Sequence, residues 1–151
     1  FNSFLILQGI ETLALRMDRI CSNALRIAQF LQKHPKVAKV NYAALPDSPD
    51  YALAQKYMGG QGSGLLTFEL KSDDPRAAGA RFLDALQLVL RLVNIGDTRS
   101  LATHPASTTH RQLTDAEMVK AGISSATVRL SIGIEHIDDL LADLNQALAQ
   151  V

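Results

Sequence analysis

Residues 127–134 read TVRLSIGI, in which aliphatic residues alternate with small or polar ones. Successive side chains of a β-strand point to opposite faces, so this alternation predicts a strand with one apolar and one polar face. Strands that are covered on both faces usually read as continuous apolar runs instead. The segment therefore favours a sheet that packs its helices on one side only.

The segments around this strand alternate between strand and helix patterns. Strand patterns occur at 37–43, 65–71, 87–95 and 100–103. Helix patterns occur at 51–58, after Pro75, after the capping box at 114–117, and at 137–150. In the first strand, Ala38, Val40 and Tyr42 are expected on one face. The order predicts an α/β (α+β) fold, a two-layer sandwich with a largely antiparallel sheet of four to five strands and helices on one face.

A long apolar stripe at helical spacing covers residues 3–34 and stops at Pro35. It predicts one long helix or two abutting ones, spanning roughly 45 Å at about 1.5 Å per residue. Its first half is the more apolar, which favours a bridging helix over an amphipathic helix with a frayed start. We therefore assign 1–34 to a bridging helix and 35–151 to a small domain, and expect the chain to be the C-terminal part of a longer protein.

Composition argues against several classes of function. The 151 residues carry no net formal charge and no Trp, so nucleic-acid binding has little support. Charges interrupt every apolar stretch, and no membrane span is predicted. The single cysteine, Cys21, excludes an intrachain disulfide and indicates a reducing compartment such as the cytoplasm. Its helical pattern predicts a packed core thiol.

Arg129 is the charged residue of the alternating strand and the first candidate for function. A charge that leaves water needs a partner, and a guanidinium suits planar, two-point binding of a carboxylate. Gly133 lies on the same side and would leave room for a ligand to approach the backbone. The strand therefore suggests an anion-binding pocket. The alternative is an arginine that pairs with an acidic residue on a solvated face.

Three polar loops carry weaker signals. The 94–97 segment (NIGD) ends a strand, where N–H groups can bind an oxyanion or simply form a turn. His104 and His110 in HPASTTH have no carboxylate or thiol at ligand spacing, so no metal site is predicted. No GxSxG motif supports a hydrolase. The Gly-rich 59–64 loop lacks the Lys and Ser/Thr of a phosphate-binding loop.

The whole chain resembles the C-terminal region of the Cys/Met-metabolism family of pyridoxal-phosphate enzymes, which have fold type I. The residues that carry the resemblance are FNSFLILQGIETLALRMDRICSNALRIAQFL (1–31), KVNYAAL (39–45), NIGDTRSLATHPASTTH (94–110) and VRLSIGIEHIDDLLADLNQAL (128–148). Within the family it is most similar to the O-acetylhomoserine sulfhydrylases. FNSFLILQG, NIGD and IEHIDD point to that subgroup.

The resemblance implies a substrate-binding role for three residues. Arg129 would hold the α-carboxylate of a small amino-acid substrate, a backbone N–H at Asn94 would contact the same carboxylate, and Thr109 would lie beside it. Many relatives carry serine at the position of Asn94, which leaves a backbone role there. The implied reaction joins O-acetylhomoserine with sulfide or a thiol to give homocysteine or methionine, and the implied assembly is a homotetramer.

One part of the family's machinery is absent from this sequence. The family binds pyridoxal phosphate covalently through a lysine in a preceding large domain, which also supplies the phosphate-binding loop. None of these motifs occurs here, and the lysines lie in surface-like contexts at Lys33, Lys36, Lys39, Lys56, Lys71 and Lys120. We therefore expect no catalytic, cofactor-binding or metal-binding residue in this chain, and no turnover without the missing N-terminal domain.

Two other interpretations of function stay open. Within the family, the parent enzyme could be a cystathionine γ-synthase or a methionine or cystathionine γ-lyase. Outside it, the chain could be a noncatalytic α/β module for dimerisation or small-ligand binding, which its self-sufficient core pattern would allow.

Overall fold

The chain alternates helices with short strands, as its sequence predicts. The computed structural model describes residues 1–151, apart from the side chain of Asp115. The helices are α1 (Asn2–Glu11), α2 (Leu13–Lys33), α3 (Tyr51–Met58), α4 (Pro75–Ala85), α5 (Asp115–Lys120) and α6 (Ile137–Leu148). The strands are β1 (Val37–Asn41), β2 (Leu65–Leu70), β3 (Leu90–Arg91), β4 (Leu101–Thr103) and β5 (Thr127–Ser131). A short 3-10 helix spans Pro105–Ser107.

The strands form one sheet in the order β1-β2-β5-β4-β3. Neighbouring strands pair antiparallel except β3 and β4, which pair in parallel. The alternating segment supplies the central strand β5, where Thr67 of β2 lies opposite Arg129 on one side and Thr103 of β4 on the other. The prediction of a largely antiparallel sheet with up to five strands is confirmed.

The hydrophobic core lies between one face of this sheet and helices α2, α4 and α6. Phe68 of β2 and Phe82 of α4 are fully buried and pack edge to face, with ring centroids 5.5 Å apart. Val128 and Leu130 of β5 are also fully buried there. Burying each large apolar side chain contributes about 1.5–3 kcal/mol, so this layer stabilises the fold. The prediction of helices on one face is confirmed.

The N-terminal segment consists of two abutting helices that meet at Thr12. Every residue of α1 is exposed, including Phe4, Ile6 and Leu7, whose exposed fractions are 58%, 62% and 60%. Helix α2 buries its stripe from Ile20 onward against the sheet. Of the two alternatives, the structure shows the pair of helices rather than one continuous helix. The assignment of 1–34 as a bridge between domains stays a prediction.

Strand β1 departs from the predicted alternation. A β-bulge shifts the register between Val37 and Lys39, so Val37 is buried and Ala38 is exposed. A bulge places one extra residue on the bulged strand and turns the following side chains over. The prediction that Ala38 shares the inner face was therefore wrong, while Tyr42 is buried as expected.

Two classes of site find no support among the described residues. Within that part of the chain, no helix is both long and apolar enough to cross a membrane. The His, Cys, Asp and Glu side chains that the structure describes also form no cluster of three or more that could hold a metal ion.

Candidate functional site

Arg129 lies half-buried in the middle of the polar sheet face, on the central strand. Its Nη2 donates a hydrogen bond of 3.4 Å to the backbone carbonyl of Asn94. Among the side chains that the structure describes, no carboxylate forms an ion pair with it. A guanidinium has five N–H donors, so this long contact leaves most of them available to an anion. The structure therefore does not show the alternative of an acid-paired arginine.

The loop after β3 brings Asn94 to this guanidinium. The Asn94 side-chain oxygen accepts the Ile95 N–H at 2.8 Å, and its amide nitrogen lies 3.4 Å from Asp97 Oδ2. The side chain is therefore engaged within its own loop. The residue is exposed, and its backbone N–H donates to no acceptor among the described residues. That N–H is therefore not used by the described part of the chain.

Asp97 is the acidic residue of this loop, and Arg99 holds it. The Arg99 guanidinium donates to both carboxylate oxygens at 3.2 Å, and its backbone N–H donates to Oδ1 at 3.0 Å. These hydrogen bonds, with the Arg99 charge, lower the pKa of Asp97 to about 2. The carboxylate therefore stays ionised near neutral pH and is paired with Arg99, which leaves Arg129 to other anions.

The far end of the loop is fixed to the segment that follows β5. The Glu135 carboxylate accepts the Ser100 N–H at 2.6 Å and the Ser100 hydroxyl at 2.9 Å, and the Gly133 N–H donates to the Ser100 oxygen at 2.9 Å. A Cβ on Gly133 would lie 2.3 Å from the Thr98 carbonyl oxygen. The chain's own loop therefore fills the space at Gly133, and the prediction that it admits a ligand there was wrong.

Thr109 is not brought into contact with Arg129 by the described contacts. Its hydroxyl lies 2.8 Å from Nδ1 of His110. The neighbouring Thr108 hydroxyl instead lies 3.0 Å from that of Thr103, which is the β4 partner of Arg129. Thr109 is therefore one residue removed from the hydroxyl pair beside the arginine, and its role in binding stays a prediction.

His104 has a structural role within the same polar loop. Its ring is fully buried, with Nδ1 2.9 Å from the Ser107 hydroxyl and Nε2 2.8 Å from the Ser125 carbonyl oxygen. A Cβ on Gly79 of α4 would lie 2.5 Å from this ring, so only glycine fits there. Burial lowers the pKa of His104, which keeps the imidazole neutral. It anchors the loop that carries Thr108 and Thr109.

A small apolar cavity lies near the C-terminal end of β5, between the start of α2 and the 94–99 loop. It has a volume of about 120 Å³ and is lined by Met17, Ile20, Ser63, Gly64, Leu65, Ile95, Gly96, Ser131 and Ile132. Ser131 is two residues beyond Arg129, about 7 Å along the strand. A larger cavity of about 440 Å³ lies at the opposite sheet edge, along β1. That edge is separated from β5 by β2, whereas the smaller cavity is lined in part by Ser131 of β5 itself.

The lysines of this chain do not fit a covalent site for pyridoxal phosphate. Every lysine is exposed, whereas a lysine that forms a covalent imine needs a desolvated setting that lowers its pKa. The described lysines therefore do not suit a covalent link to the cofactor. Among the described residues, the polar face offers a half-buried cation with unused N–H donors and an unused backbone N–H at Asn94.

Sequence reasoning missed the residues that hold this arrangement together. Glu135 and Ser100 are 35 positions apart, and no spacing rule joins them. Asp143 of α6 accepts the N–H groups of Gln87, Leu88 and Val89, each at 2.9 Å, just before β3. A buried acidic residue on the inner stripe of a helix is the signal that could have identified Asp143.

Comparison with known families gives a match along nearly the whole chain. The model of the family described as Cys/Met metabolism PLP-dependent enzyme matches residues 1–149. An O-acetyl-L-homoserine sulfhydrylase of Leptospira meyeri is 51% identical over 100% of this chain and 34% of its own length. An L-methionine gamma-lyase of Pseudomonas deceptionensis is 53% identical over 97% of this chain and 36% of its own length. The chain thus spans about a third of these relatives.

Solved structures give the same result for the fold. A Campylobacter jejuni protein, provisionally described as an O-acetylhomoserine (thiol)-lyase, is 48% identical with a TM-score of 0.89. The match covers 98% of this chain and 35% of that one, which contains N'-pyridoxyl-lysine-5'-monophosphate. A cystathione gamma lyase from Micromonospora echinospora is 34% identical, with a TM-score of 0.87 over 97% of this chain and 37% of its own.

Proposed function

This chain belongs to the Cys/Met-metabolism family of pyridoxal-phosphate-dependent enzymes, and on that premise we propose that it grips the α-carboxylate of an amino-acid substrate within a longer enzyme. The chain covers about a third of its relatives, which supports a missing cofactor-binding region. Under this proposal Arg129 binds the carboxylate, the Asn94 N–H donates to it, and Thr109 lies at the edge of the same site.

One observation carries the proposal. Arg129 is half-buried at the centre of the sheet, yet its one described hydrogen bond is the 3.4 Å contact to Asn94. An arginine in that position has lost part of its hydration without gaining a counter-ion. A substrate carboxylate would supply the charge, and hydrogen bonds to charged groups contribute about 1.5–3 kcal/mol.

The task of this domain is orientation. Pyridoxal phosphate, when bound by the rest of the protein, supplies the electron sink for the reaction. Arg129 and the Asn94 N–H would fix one end of the substrate, and a two-point contact to a planar carboxylate also fixes its rotation. Such positioning turns a rare encounter into a reactive geometry. The apolar cavity beside Ile95 and Ser131, the near neighbours of Asn94 and Arg129 in sequence, would take the aliphatic part of the same molecule.

We propose O-acetylhomoserine and sulfide, or a thiol, as the substrates of the full enzyme. Support comes from the Leptospira relative and from a second O-acetyl-L-homoserine sulfhydrylase in Corynebacterium glutamicum, which is 48% identical. The 53% identity to a methionine gamma-lyase supports methionine cleavage as the second candidate. Assays of the full enzyme with O-acetylhomoserine plus sulfide, and separately with methionine, would discriminate between them.

The remaining proposals concern assembly. The exposed apolar residues of α1 would pack against the rest of the longer polypeptide, which is the bridging role expected for 1–34. The full enzyme would be a cytoplasmic homo-oligomer, a tetramer in the family's pattern. The isolated chain should bind no cofactor covalently and should be inactive. Covalent binding of pyridoxal phosphate by the isolated chain, seen by mass spectrometry after borohydride reduction, would contradict this.

The carboxylate role can be tested in the full enzyme with Arg129→Lys and Arg129→Ala. We expect KM for the amino acid to rise by roughly tenfold to a hundredfold, since charge-assisted hydrogen bonds are lost, while the cofactor absorbance is unchanged. Arg81→Ala is the matched control, because this exposed arginine also donates to a carbonyl, that of Gln150, at 3.3 Å. An unchanged KM in both Arg129 variants would refute the role and favour a noncatalytic module.

A further inference from the structure

The segment after β5 clamps the loop that faces Arg129. Both oxygens of the Glu135 carboxylate bind Ser100, through its N–H at 2.6 Å and its hydroxyl at 2.9 Å. Ser100 is fully buried, and its oxygen also accepts the Gly133 N–H at 2.9 Å. The Ile134 N–H donates to the Thr98 carbonyl at 2.9 Å. These hydrogen bonds tie the end of the 94–99 loop to the strand that carries the arginine.

The clamp itself is held by the helix layer. The side-chain amide of Asn23 in α2, which is buried, donates to the carbonyls of Gly133 at 3.1 Å and Glu135 at 2.9 Å. Asn23 therefore fixes the backbone at Glu135 to the helix layer. At the other end, Asp143 holds the N–H groups of 87–89 before β3. The chain between these two anchors contains Asn94.

The geometry points to Glu135 as a positioning residue of the carboxylate-binding site. Its carboxylate fixes Ser100, and through Ser100 it sets the 94–99 loop so that Asn94 lies against the Arg129 guanidinium. Glu135 itself binds Ser100, not substrate. This inference rests on the proposed function of Arg129 and adds a second residue, six positions along the chain, on which the same site depends.

The clamp requires a carboxylate because Glu135 accepts both hydrogen bonds from Ser100, one at each of its two oxygens. A glutamine at 135 would offer one acceptor oxygen and one NH2 group, so one donor of the buried Ser100 would lose its partner. A buried donor without a partner is costly, and the loop should shift to recover one. A displacement of about 1 Å in a residue that positions substrate can cost about a hundredfold in kcat/KM.

Glu135→Gln and Glu135→Ala in the full enzyme test this inference. Because the clamp fixes Asn94 without touching substrate, we expect kcat/KM for the amino acid to fall by about tenfold to a hundredfold, chiefly through a higher KM, with the cofactor absorbance unchanged. Asp139→Asn is the control, because this exposed carboxylate in the first turn of α6 lies outside the clamp. Glu135→Gln keeps the side chain's size and decides the matter if Glu135→Ala does not fold.

A double variant separates positioning from general stability. Residues that act on the same interaction are not additive, so Glu135→Gln should raise KM strongly in the wild type and little in an Arg129→Ala background. An equal factor in both backgrounds would overturn the inference, as would an unchanged KM in both Glu135 variants. If Arg129→Ala raises KM while Glu135→Gln does not, only this inference fails. If neither raises it, the proposed function fails as well.

Discussion

The two faces of strand β5 differ in how completely the protein satisfies them. Leu130 is fully buried beneath the helices, whereas its neighbour Arg129 is half-buried and makes one long hydrogen bond to the described residues. The side chains of the inner face are fully packed within this chain, whereas the guanidinium of the outer face keeps unused N–H donors. The difference teaches that the inner face specifies the fold, while the outer face is left with free donors for a ligand. Substitution of Leu130 should therefore lower stability, whereas substitution of the adjacent Arg129 should impair ligand binding.

The largest expected effect is on the inner face. Leu130→Ala should lower the free energy of unfolding by about 2–5 kcal/mol, because it removes buried methyl groups and leaves a cavity. Urea denaturation of the 151-residue chain measures this. Arg129→Ala is the neighbouring control and should change the same quantity by less than about 1 kcal/mol. Equal losses in the two variants would contradict the division between the faces.

Gly133→Ala should show whether the 94–99 loop packs tightly against the backbone at residue 133. Its Cβ would lie 2.3 Å from the Thr98 carbonyl and 2.6 Å from the Arg99 carbonyl carbon, so backbone must move. Overpacking of this kind costs about 1–3 kcal/mol of unfolding free energy. Gly9→Ala is the matched control, since the new methyl meets nothing within 4 Å and helix propensity favours alanine. A neutral Gly133→Ala in urea denaturation would show that the 94–99 loop is not fixed there.

Acid should weaken the hydrogen bonds by which Asp143 of α6 holds the segment before β3. Burial raises the pKa of this carboxyl, but the N–H groups of Val89, Gln87 and Leu88 together lower it below its usual value. Its stabilising contribution is therefore complete above the unfolded pKa of about 4 and is lost as the pH falls through the folded value. Asp143→Asn should cost about 1–3 kcal/mol at pH 7 and flatten the acid limb of a stability–pH curve. An identical acid limb in wild type and variant would contradict this assignment.

The smallest effect on stability is expected on α1. Ile6→Gln should leave the free energy of unfolding within about 0.5 kcal/mol, because the side chain is 62% exposed. The same change should weaken self-association of the isolated chain, since α1 presents a continuous apolar surface. Sedimentation velocity over a range of concentrations measures this. A wild-type chain that is strictly monomeric would show that α1 does not mediate self-association.

The inner face of the sheet could be predicted from the sequence because side-chain alternation is local. The alternation of 127–134 and of 65–71 placed Leu66, Phe68 and Leu130 in the core, where they are. The β1 bulge could not be predicted, because an extra residue in a strand depends on its pairing with β2. Alternation marks which way a side chain points only while the register is unbroken.

The outer face was less predictable because its contacts join distant parts of the chain. Arg129 stood out as a charge among aliphatic residues, and Asn94 was suggested by resemblance to a family. Glu135 and Ser100 carry no local signal, since their meeting depends on how the 94–99 loop folds back over the sheet. The same contact explains why Gly133, expected to admit a ligand, is packed against Thr98 and Arg99.

A substrate without the α-carboxylate charge gives the sharpest test of the role of Arg129. In the full enzyme, kcat/KM is compared for the amino-acid substrate and its α-carboxamide, in wild type and in Arg129→Ala. If Arg129 binds the carboxylate, the wild type should prefer the acid by roughly tenfold to a hundredfold, and the variant should lose most of that preference. If the variant retains the wild-type preference in full, the carboxylate is recognised elsewhere and the account of the outer face is wrong.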